Sequence, residues 1–374
     1  MTEEREKLLL RLLVSGWDYT REEMETMAGD MDIDRERIEY LLMLGLLGER
    51  KGFLYIPDKV RPRITGIYRS YRVRNLLFQP FLEAKLKVLV RAGIPVMLLK
   101  GAAMRAYYAP GVVREMSDID LAVPEERFKE ALSVLEASGM KVQDGPAPHA
   151  WTLMEGGRHI DLHRWIFKTG GDKAAGDFWE KAVPVEAGGV QVLVPAPEDM
   201  FIHVLDNRAR DLILNYQVNR TMKWLYDGAM IMNKAGTPDW KHIAGRAEEL
   251  LALSSLKMVL PDFAEIFPEF ISGEQCREFF PRDESYLRWK RKAESFVEEL
   301  KDFNTIADKW PAGSLGLPKL MRVIRHYRTQ YRCFFRDDLK KAGIRMSFPD
   351  FFLFYFQAES FGELIRRYLG KKKA

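Results

Sequence analysis

The segment that most constrains this chain runs from Val96 to Val123, VMLLKGAAMRAYYAPGVVREMSDIDLAV. It reads as a strand, a glycine turn, a short helix, a loop and a second strand. The second strand carries Asp118 and Asp120, two residues apart and so on one face, while Ile119, Leu121 and Val123 face a core. Carboxylates side by side repel unless a cation lies between them. Hard Mg²⁺ prefers carboxylate oxygen together with substrate phosphate. The first strand ends at Lys100-Gly101, and the helix after it offers free backbone N–H groups to an anion. A phosphate cradle and a metal-holding carboxylate pair are therefore close in sequence.

A third carboxylate follows. Gly156-Gly157 between two alternating runs predicts a hairpin with arms His149 to Glu155 and Arg158 to Phe167. In the second arm Asp161 and His163 share one face, and Ile160, Leu162 and Ile166 oppose them. Leu99-Lys100-Gly101, then Arg114-x-x-Ser117-Asp118-Ile119-Asp120-Leu121, then Ile160-Asp161-Leu162-His163-Arg164-Trp165 resemble the uncharacterised bacterial nucleotidyltransferase family of the DNA polymerase β-like nucleotidyltransferase superfamily. The likeness spans roughly residues 64–235.

The resemblance implies an α+β fold: a polymerase β-like core with a mixed sheet, flanked by helical N-terminal and C-terminal regions. It implies a metal-dependent enzyme that moves a nucleoside monophosphate from an NTP to a hydroxyl acceptor, with Mg²⁺ or Mn²⁺ as cofactor. Asp118, Asp120 and Asp161 would hold the metal, and Asp161 would help take the acceptor's proton. His163 would orient Asp161 or touch the acceptor. Lys100, Gly101, Arg105, Arg114 and Ser117 would form the nucleotide-binding set, with Gly101 letting the backbone approach phosphate. The superfamily's small second turn residue, often Ser, is Ala102 here, so that position brings no hydroxyl to phosphate. Bland alternatives stand beside these roles: edge-strand surface carboxylates, a satisfied histidine, a surface lysine at a strand end.

Length and composition set the frame. The 374 residues suffice for two or three domains, and a net charge of +4 dictates no partner. Two cysteines, Cys276 and Cys333, exclude a disulfide framework and a multi-cysteine zinc site. The charged start MTEEREK is no signal peptide, and no apolar stretch approaches the roughly 20 residues of a membrane helix. A cytoplasmic location is expected.

Residues 1–60 read as a small helical region. Glu4 to Leu13 has helical apolar spacing, Thr20 to Glu23 forms a capping box, and Ile38 to Leu47 is an apolar helix ending near Gly45 or Gly48. Lys51 to Ile56 has strand character, so a winged helix also fits. The helix from Arg35 to Leu46 sets Arg35 and Arg37 beside Glu36 and Glu39, however, and lacks the basic face a DNA reader needs.

Residues 61–196 read as the catalytic domain. It opens on a helix with Arg61, Arg63, Arg69, Arg72 and Arg74, either an electrostatic lip for polyanions or a solvated face. A helix from Pro124 to Ser138 and a second hairpin around Gly188-Gly189 complete it.

Residues 197–374 read as mostly helical, with one helix opening at Asp199 to Leu205 and another over Gln217 to Asn233. From Arg282 onward, 21 Lys and Arg face 12 Asp and Glu, which leaves the rest of the chain net acidic. Arg322, Arg325, Arg332, Arg336 and Lys340 fall on one helical stripe, and the aromatics lie on the other. That separation favours a solvated basic face over nucleic-acid contact. Phe351, Phe352, Phe354 and Tyr355 read as a buried helix. Two further functions suit the same chain: a toxin-like transferase acting on tRNA, and a catalytically silent binding module.

Overall fold

The computed structural model describes residues 3–281, apart from 17, 35, 110, 117, 144–148, 168–176, 215–221 and 237, together with 328, 331 and 347–350. The basic stripe and the phenylalanine-rich segment of the last third lie outside the described residues, as does Ser117.

Three helices come first: α1 (Glu3–Val14), α2 (Arg21–Ala28) and α3 (Ile38–Glu49). The capping box forms as expected. The Glu23 amide donates to Thr20 Oγ1 at 3.1 Å, and the Thr20 amide donates to Glu23 Oε2 at 2.7 Å. α3 runs through Gly45 and ends at Glu49, beside Gly48 as expected. A Cβ on Gly45 would stand 2.7 Å from the Tyr68 Cβ, so this glycine is a contact surface for the next helix. Lys51 to Ile56 is a series of turns and not a strand, because Gly52 and Phe53 take φ of +60° and +63°. The strand pair of a winged helix is therefore missing there.

α4 (Arg61–Arg91) is one long helix through Pro80, and Gly93 follows it at φ +67°. Then come β1 (Met97–Leu98), α5 (Lys100–Met104), β2 (Ile119–Ala122), α6 (Phe128–Ala137) and a short β3 (Lys141–Val142), which the sequence reading missed. β4 (Ala150–Glu155) and β5 (Arg158–His163) form the first hairpin, β6 (Val183–Ala187) and β7 (Val190–Val194) the second. Both glycine pairs have positive φ, as two-residue turns between twisted strands require.

The strands order as β3-β4-β5-β2-β1-β7-β6, with β2–β5 and β1–β7 parallel and the other pairs antiparallel. This is the expected mixed sheet of an α+β fold. Ile119, Leu121, Ile160 and Leu162 are buried beneath it, as their alternation requires.

The helical region begins with α7 (Pro197–Leu214) and α8 (Met222–Ala235). α9 (Trp240–Glu249), α10 (Leu253–Ile266) and α11 (Gly273–Phe279) follow. α8 starts at Met222; residues 217–221 of the expected helix lie outside the described residues. α1 and α3 pack against α8, so the chain's first helices rest on its C-terminal half. The Lys223 amide donates to the buried Glu39 carboxylate across that seam. No helix among the described residues is long and apolar enough to cross a membrane.

Candidate active site

The site is built where β1 hands over to α5, beside β2. The Leu99 amide donates to the Asp120 carbonyl at 3.0 Å, pinning the turn to the acidic strand. Lys100 follows at φ +44°, a left-handed conformation that costs any residue bearing a Cβ. Its side chain turns to the sheet, and Nζ donates to Asp120 Oδ1 at 2.5 Å.

Register then brings in the third strand. Parallel pairing of β2 with β5 sets Asp120 opposite Asp161 and Ala122 opposite His163. His163 Nε2 lies 3.0 Å from Asp120 Oδ1, and both side chains are buried. Asp120, Asp161 and His163 each offer a ligand atom, and these atoms lie within 4.8 Å of one another. Asp118 stands just before β2, half-buried and outside that trio. Its charge still acts on Lys100.

The charges sustain one another. Burial alone would raise the Asp120 carboxyl, but Lys100 and His163 outweigh it and hold the group well below the usual carboxylate range. Burial alone would likewise lower Lys100. Asp120, with Asp118 and Asp161, overcomes that and keeps the ammonium above its ordinary value.

Thr152 is a residue the sequence reading missed. Its hydroxyl donates to Asp161 Oδ1 at 2.6 Å because the hairpin pairs Thr152 with Asp161. The two-residue glycine turn predicts that register, so the signal was available. His203, from α7, is also buried. It acts electrostatically with Lys100, His163 and Asp120, and nothing in its sequence neighbourhood marks it.

The expected phosphate-binding residues go to different partners. Arg114 reaches away from β2 to Asp227 on α8, with Nη2 2.6 Å from Oδ2 and Nε 3.1 Å from Oδ1. Tyr108 donates to the same carboxylate. Arg105 donates to Gln79 at 2.8 Å. Gly101 admits Arg114 and Met116; a Cβ there would collide with the guanidinium and approach the Met116 sulfur to 3.0 Å. α5 has only five residues, so its backbone field is weak. Beside it lies a cleft of about 450 Å³ lined in part by Arg72, Asn75, Gln79, Gly101, Arg105 and Arg114, with no carboxylate on its walls. Of the arginines early in α4, Arg72 lines this cleft and pairs with Glu49 at 2.5 Å, while Arg61 donates to the Ile56 carbonyl at 2.7 Å.

Comparison with known proteins gives a family. The profile of a family described as uncharacterised nucleotidyltransferase matches residues 33–268. No curated protein matches. Among solved structures, ANT(2″)-Ia in complex with adenylyl-2″-tobramycin is 20% identical, covering 46% of this chain and 97% of its own at a TM-score of 0.36. The Megavirus polyadenylate synthase is 14% identical, covering 54% of this chain and 44% of its own at a TM-score of 0.33.

Proposed function

The chain belongs to this family of nucleotidyltransferases, and from that premise we propose that it transfers a nucleoside monophosphate from an NTP to a hydroxyl acceptor with a divalent cation. The observation that carries the reading is the in-register pairing of Asp120 with Asp161 on parallel strands, with His163 two residues on. The two carboxylates of that group, within 4.8 Å of one another, offer the hard oxygen ligands that suit Mg²⁺ or Mn²⁺. Asp120 and Asp161 would hold the ion, with Asp118 at its margin and His163 braced on Asp120. When bound, such an ion supplies Lewis-acid stabilisation of charge on the triphosphate.

The chain's own residues do the rest. The carboxylate-free cleft takes the nucleotide, and Arg105 and Arg72 meet its negative charge. Arg114, tied to Asp227, shapes the wall beside Gly101. The acceptor oxygen bonds to the α-phosphorus, the bond to the bridging oxygen breaks, and pyrophosphate leaves with that electron pair. The acceptor's proton passes to Asp161. Thr152 occupies Oδ1 of that carboxylate and so aims Oδ2.

The test is mass spectrometry of candidate acceptor pools after incubation with each NTP and Mn²⁺. The expected result is a product heavier by one nucleoside monophosphate, lost in Asp120→Asn. Calorimetry provides the companion measurement: Mn²⁺ binding with nucleotide present should disappear in Asp120→Asn with Asp161→Asn. Unchanged metal affinity in that double variant would remove the ion from these strands.

A further inference from the structure

We propose that Lys100 is an internal cation that neutralises the acidic cluster before substrate arrives and competes with the divalent metal for Asp120. This rests on the reading that Asp120 and Asp161 hold the ion. Four observations carry it. Lys100 Nζ stands 2.5 Å from Asp120 Oδ1, the carboxylate oxygen that also meets His163, so the ammonium occupies one side of the trio that would ligate metal. Among the described residues no other lysine or arginine pairs with Asp120 or Asp161. The charges of Asp118, Asp120 and Asp161 all converge on that ammonium. The backbone is committed to the arrangement, since Lys100 is held at φ +44° between an amide bonded to Asp120 and the first turn of α5.

Without a cation, carboxylates gathered this closely repel, and Lys100 relieves that repulsion when no metal is present. A divalent ion entering the same cluster meets an ammonium already bound to its ligand, and like charges at that range repel. The metal must therefore displace the ammonium. A triphosphate in the adjoining cleft gives the lysine a second anion to move to, since Gly101 on that cleft's wall is the next residue. Metal binding is consequently weak alone and strong with nucleotide. The lysine orders the two events and keeps the ion from settling in an enzyme that has nothing to transfer.

The experiment uses the full chain and Mn²⁺ without nucleotide, followed by calorimetry and by thermal melting. Lys100→Met removes the charge and keeps most of the length. It should bind Mn²⁺ at least about ten-fold more tightly than the wild type. It should also melt lower without metal and gain more from added Mn²⁺. Lys100→Gln serves the same comparison if the methionine variant does not fold. Equal or weaker Mn²⁺ affinity in the lysine variants, with Asp120→Asn still abolishing wild-type binding in the presence of nucleotide, overturns the competition and leaves the metal site standing. Absence of Mn²⁺ binding from the wild type and the lysine variants alike, even with ATP, overturns the metal site and this inference together.

Discussion

At the scale of single residues, His203 makes a pH prediction. It is 2% exposed, its ring stands edge-on to Phe167 at 5.6 Å, and Asn207 Nδ2 lies 3.1 Å from its Nε2. Burial disfavours the imidazolium, nearby Lys100 adds to the effect, and the pKa is pushed down to about 3. The unfolded chain therefore takes up this proton first. Stability from neutral His203 is complete above the ordinary histidine value, near 6.5, and is lost as pH falls towards 3. Melting temperature followed from pH 7 to pH 4 should fall, and His203→Gln should flatten the slope. Asp161 makes a kinetic prediction. If it takes the acceptor's proton, Asp161→Asn should lower kcat by about 10²-fold or more while nucleotide affinity stays near wild type. Parallel loss of both would point to a binding role.

At the scale of elements, glycines mark where pieces meet. Gly45 lets α3 lie against Tyr68 of α4, and the atom a Cβ would meet is the base of that side chain and cannot swing away. Gly45→Ala should cost about 1–3 kcal/mol of stability in urea unfolding. Gly101 behaves differently. Its Cβ would meet the far end of Arg114, which is movable yet held by Asp227, together with Met116. An alanine there should shift the Arg114 guanidinium and narrow the cleft, and it should change the melting temperature as well as nucleotide affinity. A variant with native melting and weakened nucleotide binding would return Gly101 to a purely phosphate-facing role.

For the whole molecule, buried ion pairs tie the helical region together and bind it to the sheet. Arg246 on α9 meets Asp199 on α7 through Nε at 2.7 Å and Nη2 at 3.0 Å. Arg114, from the loop entering β2, meets Asp227 on α8, and both side chains are largely buried. Removing one partner of such a pair leaves an uncompensated charge. Asp227→Ala should cost about 3–5 kcal/mol, and Arg114→Met combined with Asp227→Leu should recover much of it. Urea denaturation of the wild type and these two variants measures this. A small loss in Asp227→Ala would mean that water reaches the guanidinium.

What the amino-acid sequence determined by itself is local. The glycine pairs dictated both hairpins, because only residues comfortable at positive φ close a two-residue turn. Strand alternation put Asp161 and His163 on one face, and the Thr20–Glu23 spacing made a helix start, since both depend on near neighbours. Gly45 and the Lys51 to Ile56 run misled for the same reason. Their local signals pointed to a helix end and a strand, and packing against α4 and a left-handed turn prevailed. Only the tertiary structure decided that β2 and β5 lie side by side in register, that Lys100 sits on Asp120, and that Arg114 is bound by a carboxylate 113 residues away. Those contacts join segments that share no local pattern. Their geometry is set by the packed core and the charge balance within it, and no window of sequence contains either.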